Sequence, residues 1–514
     1  MTSRYFDSRV LLWGLLLLAG ITRFYDLGAY ALWSDEAWVA SSIIQPTFRE
    51  ATVDFSYPQT TPPLFLAMVR TLVSLFGRGD AILRLLPATA SVLVALLLWL
   101  FTRRIARNES AALLAVSLWV ANPAVLRYSQ ELKQYSTDAL ATVLLLYLAE
   151  VFLAQDDAVR RARFRWLLLG ASVVCLALSY TAALIIPAVA IRWLWDAFRR
   201  VDGRARLGEI RQIGIYVGLS MAVFSLLHTV FVRPHLKPWL VEYWAGHYLS
   251  DHSLGGFLRF GMTASYEVFV FLFRDWAHVL PSVFGILFVV GVAKSVVNRN
   301  VPAVVVLSVP FLTTLVVASA GRYPYGGVRA DLFLMPLVFI GIAQGVMALF
   351  VIWQERHPKV VWALVVGTVV ALPAVEFSTV GWGIPKGQED VRSLVEDFSA
   401  RRLPADFAAV DTPAFRAFEY YVDDPGGRFR RFGGWNPTDL DLGRRELDQM
   451  IDRDLANGRL WVAFGYDRGW REETIAHVEK RCSRLSEEHY VGALLMLFSC
   501  PAVGVQSSHG EGEN

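Results

Sequence analysis

Asp35 and Glu36 stand side by side between two indoles, in the run Trp33-Ser34-Asp35-Glu36-Ala37-Trp38. A carboxylate in such a place can take the proton of a hydroxyl, the work of a general base in group transfer. A second cluster is Arg127-Tyr128-Ser129-Gln130-Glu131-Leu132-Lys133-Gln134-Tyr135, and a third is Arg322-Tyr323-Pro324-Tyr325-Gly326-Gly327-Val328-Arg329. Arg and Lys hold phosphate through charge-assisted hydrogen bonds. Together the three clusters suit proton abstraction from one substrate and stabilisation of a phosphate leaving group on another.

Each candidate also has a plainer reading. Asp35 and Glu36 equally suit a solvated pair at the start of a helix. Arg127, Glu131 and Lys133 suit a surface salt-bridge set, which is worth little. Arg329, just before an apolar run, and Arg84, in Leu83-Arg84-Leu85-Leu86-Pro87, fit interfacial anchors whose stems lie in lipid. Tyr128 and Tyr325 fit an aromatic belt better than a sugar-stacking platform. His235, His247 and His252 are too irregularly spaced for a helical metal pair and read as loop residues.

The elements that carry these residues are membrane spans. The chain has 514 residues, is 55% hydrophobic, and repeats apolar runs long enough to cross a bilayer. That implies an all-α polytopic bundle. Its formal net charge of +3 is too small to argue for nucleic acid. Spans are expected near residues 10–27, 82–101, 109–127, 133–154, 164–180, 182–198, 211–231, 277–297, 301–319, 331–352 and 359–377, about 11 in all. Arg4 and Arg9 precede the first, but no small-x-small site follows Leu18-Ala19-Gly20-Ile21, so an uncleaved first span is expected.

Short loops rich in Lys and Arg stay in the cytoplasm. With the N-terminus inside, every inner loop is cationic: Arg103, Arg104 and Arg107, then Arg160 to Arg165, Arg199 to Arg211, Lys294 and Arg299, and Arg356 with Lys359. Leu64 to Phe76 is short and contains Arg70. It is expected as a juxtamembrane helix in the outer interface, opened by Pro62-Pro63. The outer face then collects the loop from Gly28 to about Gly79, the stretch Arg127 to Asp138, the turn Ser179-Tyr180-Thr181, the long segment Arg233 to Trp276, and Gly321 to Asp331. Few charges fall mid-span, which speaks against an ion pathway.

The expected division is a transmembrane domain over residues 1–378 and a small extracytoplasmic α/β domain over 379–514. In the latter, Leu460 to Phe464 and Val491 to Phe498 are short apolar runs, and Glu472 to Val478 looks helical. If that part is extracytoplasmic, Cys482 and Cys500 can form a disulfide, worth roughly 3 kcal/mol in the chain-entropy model. Cys175 reads as a small core residue, and Gly504 to Asn514 as a disordered end.

In these motifs the chain resembles the GT-C superfamily, specifically the bacterial dolichyl-phosphate-mannose-protein mannosyltransferase-like membrane glycosyltransferases. The matching residues are Trp33-Ser34-Asp35-Glu36-Ala37, Thr61-Pro62-Pro63-Leu64-Phe65, Leu83 to Pro87, Arg127 to Glu131 with Lys133 and Tyr135, and Tyr323 to Arg329. The resemblance is good over residues 10–150 and thins until the Gly-Gly-Val-Arg turn. It implies that Asp35 is the general base, with Glu36 beside it, in an inverting transfer from a polyprenyl-phosphate-sugar donor to an acceptor hydroxyl. Arg84, Arg127, Tyr128, Glu131, Lys133, Tyr325 and Arg329 are then the donor-phosphate and substrate contacts. Many relatives have a charged residue or His before the Pro-Pro pair, where this chain has Thr60-Thr61. No cofactor is expected; a divalent metal is left unassigned. The expected partners are the donor, a lipid, glycan or protein acceptor, and the bilayer, with no nucleic acid. The expected place is the cytoplasmic membrane, with the C-terminal domain periplasmic. Two other readings stand beside this one: a lipid-linked glycan transporter, which needs no base, and a membrane assembly protein.

Overall fold

The computed structural model describes residues 8–45, 47–52, 60–200, 203–236, 238–275, 278–350, 356–379, 389–422, 428–434, 439–455, 458–467 and 469–501. Gly504 to Asn514, expected as a disordered end, lies outside the described residues. Among the described residues, seven helices are long and apolar enough to cross a membrane, or eight with one bent pair. The chain is a multi-pass membrane protein.

The seven are Asp80–Ala106, Tyr135–Leu153, Gly203–His235, Leu254–Phe273, Leu280–Val297, Val301–Ser319 and Arg329–Leu349. The bent pair is Glu109–Ala121 and Pro123–Ser129, which meet at 62° within the expected span 109–127. The other expected spans coincide with helices Ser8–Phe24, Ala158–Leu178, Ala182–Arg200 and Pro358–Thr379, which are not among the seven. Leu64 to Phe76 is helical from Pro63, whose missing N–H is harmless at a first helical position. One expectation changes. The stretch Arg233 to Trp276, read as a loop, contains the helix Leu254–Phe273. Arg259 and Glu267 interrupt its apolar run, and hid it from a search for uninterrupted hydropathy.

The chain divides into two compact units: Met1–Leu27 with Thr47–Ile384, and Gly28–Pro46 with Pro385–Asn514. The first is the helical bundle. Its tightest pairing is between Leu280–Val297 and Met335–Leu349, where Gly341 and Gly345, four residues apart, line one face. A Cβ on Gly345 would lie 1.9 Å from the Leu287 carbonyl oxygen, and one on Gly291 would lie 2.1 Å from that of Gly341. Small residues at this spacing let two backbones touch, which is how helices gain contact in lipid without a hydrophobic drive. Cations at the helix ends are paired: Arg161 meets Asp196 and Glu209, each at 3.3 Å, and Arg192 meets Glu150 at 2.7 Å.

The second unit holds a five-stranded sheet ordered β2-β1-β3-β5-β4. The strands are β1 Phe407–Asp411, β2 Phe429–Phe432, β3 Arg459–Phe464, β4 Ser483–Tyr490 and β5 Ala493–Ser499. β1 pairs in parallel with β2 and β3, while β5 is antiparallel to β3 and β4. Strands β1, β3 and β5 are buried almost throughout, as their unbroken apolar runs require. The expected apolar runs are β3 and β5, and the expected helix is Arg471–Glu479. A disulfide joins Cys482 to Cys500, fastening the start of β4 to the residue after β5. Gly28–Pro46, which includes the Ser34–Ile43 helix, packs with this unit through the helix Thr412–Tyr421. Nothing in the sequence suggested that grouping.

Gly345→Ala should destabilise the bundle by about 1–3 kcal/mol, because the helices must separate to admit the methyl. Thermal melting of the detergent-solubilised protein measures it. Gly170→Ala, where the added Cβ meets nothing within 4 Å, should melt like the wild type.

Candidate active site

The Arg127–Lys133 motif owes its place to a broken helix. Pro123 has no N–H to give the Trp119 carbonyl, so the helix Glu109–Ala121 ends there and leaves buried acceptors behind. Arg23, fully buried, fills the gap. Its Nη2 donates to the Trp119 oxygen and its Nη1 to the Val120 oxygen, both at 3.0 Å, while Nε reaches Ser91 Oγ at 3.3 Å. Asn122 caps the next helix by accepting from the Val125 N–H at 3.1 Å, and its Nδ2 donates to the Leu272 carbonyl at 2.8 Å. Gln130 Nε2 donates to the Thr22 carbonyl at 2.9 Å. Gln130 thus ties the motif to the end of the first helix.

On this frame Arg127 lies 40% exposed, with its Nε 3.4 Å from Glu131 Oε1 and its guanidinium 5.6 Å from the Tyr128 ring centre. Tyr128 sits in an aromatic cluster, edge-on to Tyr135 and stacked on Phe271. Glu131 is buried and Lys133 half-buried. Arg84 is buried and donates to the Leu27 carbonyl at 3.1 Å.

The 322–331 turn is built from its own backbone. Gly326 and Gly327 take φ of 123° and 70°, conformations that side chains resist. Asp331 Oδ2 accepts from the Gly326 N–H at 3.0 Å and the Val328 N–H at 3.3 Å. Tyr323 donates its hydroxyl to the Ala330 carbonyl at 2.7 Å. Tyr325 is buried, its hydroxyl 2.9 Å from Ser265 Oγ and its N–H on the His247 carbonyl at 3.2 Å. Burial lowers the pKa of His247, with Glu267 and Gly326 opposing. Arg329 is half-buried at the end of this turn.

Asp35 and Glu36 belong to the second unit. They occupy the first turn of the Ser34–Ile43 helix, where carboxylates meet the positive end of the helix dipole. Asp35 is half-buried and Glu36 only 1% exposed. Two carboxyl groups overlooked in the sequence lie near. Asp411, at the end of β1, accepts from the N–H groups of Ala414 and Gly465, both at 2.9 Å. Glu389 is buried, accepting from the backbone N–H groups of Tyr466 and Ser34. Its pKa is pushed up to about 8, by burial first, then by the charge of Asp411 and least by that of Asp35. In the sequence Gln388-Glu389-Asp390 is ordinary polar linker, with no signal of burial. Among the described residues no three or more His, Cys, Asp or Glu side chains converge as metal donors.

The family model for dolichyl-phosphate-mannose-protein mannosyltransferase matches residues 60–231. That stretch contains the Thr61–Phe65, Leu83–Pro87 and Arg127–Tyr135 motifs; it begins after Asp35 and runs further than the 10–150 expected. Among solved structures, ArnT from Cupriavidus metallidurans bound to undecaprenyl phosphate matches with a TM-score of 0.57 and 14% identity, over 95% of this chain and 97% of that one. The Archaeoglobus fulgidus oligosaccharyltransferase in complex with zinc and sulfate matches with a TM-score of 0.55 and 12% identity, over 95% and 72%. The chain has the GT-C fold. The resemblance read from its motifs is borne out. No curated protein sequence matches significantly.

Two outcomes are expected. Arg23→Met keeps much of the volume but strands two buried carbonyls, and should destabilise the protein by about 3 kcal/mol, read by melting in detergent. The raised pKa of Glu389 contributes stability that is fully present below 4.5 and lost as pH rises through about 8. Glu389→Gln does not titrate, so its melting midpoint should fall less than that of the wild type between pH 5 and pH 8.5. Equal falls would mean that Glu389 does not titrate in this window.

Proposed function

We propose that the protein is an integral-membrane glycosyltransferase that moves one sugar from a polyprenyl-phosphate donor to an acceptor hydroxyl at the extracytoplasmic face. The observation that carries this reading is the family match over residues 60–231, which contains Arg84 and the Arg127–Lys133 motif. The GT-C fold supports it, since an enzyme of that fold has been solved with undecaprenyl phosphate bound.

Asp35 takes the acceptor proton as the acceptor oxygen attacks the anomeric carbon. The bond from that carbon to the phosphate oxygen breaks, and polyprenyl phosphate leaves with the electron pair. One direct displacement inverts the anomeric centre. Asp35 is half-buried in a first helical turn, so its carboxylate keeps a route to solvent. Glu36, almost wholly buried, supports the turn rather than meeting substrate. Arg127 keeps enough exposure to receive phosphate, with Glu131 aiming its guanidinium and Lys133 adding charge. Tyr325, buried with its hydroxyl engaged, holds the turn that carries Arg329 rather than stacking on sugar. Arg84 clamps the Leu27 carbonyl, at the point where the chain leaves the bundle for the Asp35 segment.

Turnover of a panel of polyprenyl-phosphate sugars by protein reconstituted in lipid tests this. Asp35→Asn keeps the shape and loses the basicity, so kcat should fall roughly 100-fold or more at unchanged donor KM. Equal turnover in both proteins would remove Asp35 from the mechanism.

A further inference from the structure

The segment that carries Asp35 follows the first helix of the bundle in sequence, yet it packs with the C-terminal residues. Its fastenings are specific and polar. Arg392 straddles two successive carbonyls, with Nη1 donating to Gly28 O at 3.1 Å and Nη2 to Ala29 O at 2.8 Å. The Leu32 N–H donates to the Tyr421 hydroxyl at 2.8 Å. The Ser34 N–H, at the start of the helix that bears Asp35, faces the buried carboxyl of Glu389 and lowers its pKa against the effect of burial. Each N–H or C=O so engaged belongs to irregular backbone between residues 28 and 34, where no ladder or helix would otherwise satisfy it. Irregular backbone with such partners is rigid, and without them it is free to move.

We propose that the C-terminal unit is a positioning element for the catalytic loop, with Arg392, Tyr421 and Glu389 as positioning residues that set where Asp35 presents its carboxylate. This rests on the reading of Asp35 as general base and extends it. A base displaced by an ångström loses much of its effect while the donor still binds elsewhere. The signature is therefore a fall in kcat at constant donor KM. Tyr421 and Arg392 touch no reacting atom in this scheme; both act through the backbone of the loop.

The test uses the full chain in lipid, with undecaprenyl-phosphate-linked mannose, glucose and arabinose as donors and release of undecaprenyl phosphate as the readout. Arg392→Ala and Tyr421→Phe should each lower kcat 10-fold or more at donor KM within twofold of wild type. Arg392→Lys, which keeps a cation that reaches one carbonyl, should recover part of the loss. Amide hydrogen exchange at residues 28–38 should quicken in the Ala and Phe variants while β3 and β5 stay protected, which separates a loosened loop from an unfolded domain. A kcat within twofold of wild type in both variants, or unchanged exchange over 28–38, overturns the proposal. A fall in kcat with lost protection in β3 and β5 also overturns it, since the unit would then act only as a whole. Full turnover by Asp35→Asn sinks the catalytic reading and this one with it. If quickened exchange then persists in Arg392→Ala, the failure lies in the chemistry and not in the fastening.

Discussion

A helix that stops inside a packed bundle leaves carbonyl groups that water cannot reach, and here a buried arginine meets that constraint. Pro123 breaks the span, and Arg23 supplies the donors that the broken ladder lacks at Trp119 and Val120. In hydrocarbon an unmet acceptor costs several kcal/mol, so the bend and the arginine depend on each other. The bend turns the chain through 62° and lays the Arg127–Lys133 motif across the end of the first helix. There Gln130 joins it to Thr22. Arg23 thus holds the bend that carries the candidate phosphate site.

The glycine-lined face between Leu280–Val297 and Met335–Leu349 follows from the same solvent. Apolar side chains gain nothing by leaving lipid for one another, so helices associate where small residues let backbones touch. Arg329–Leu349 is held in this way. At its outset, Asp331 gathers the Gly326 and Val328 amides and fixes the turn that ends in Arg329. Both cationic motifs of the bundle are therefore aimed by buried polar contacts rather than by their own exposed charge.

The carboxylate pair is governed by different physics. Asp35 and Glu36 sit on a short helix whose approach is irregular backbone, and that backbone is satisfied by Arg392, Tyr421 and Glu389. The C-terminal unit has the buried sheet and the disulfide to offer a firm surface for such a segment. It also brings Glu389 and Asp411 near Asp35, which raises the local density of negative charge. Glu389 answers by holding its proton across the neutral range.

Hydropathy carried the multi-pass helical character and most of the long apolar helices, because a membrane helix must satisfy its backbone within itself and therefore announces its length in apolar residues. The helix opened by Pro62-Pro63 and the apolar runs of β3 and β5 were also legible, and Cys482 and Cys500 were legible as a possible pair. The motif residues Asp35, Arg127, Lys133 and Arg329 were legible as types at short spacing. The bend at Pro123 was only half legible: a proline marks a break but not the angle, nor the partner that takes its orphaned carbonyls. Leu254–Phe273 was hidden by Arg259 and Glu267, which break its apolar run although its average hydropathy is that of a span. The least legible feature was the home of Gly28–Pro46. Hydrogen bonds to Arg392 and Tyr421 span more than 360 residues of chain, and no local pattern records a partner at that distance. Local backbone satisfaction writes itself into a sequence; long-range satisfaction of irregular backbone is decided only when the chain has folded.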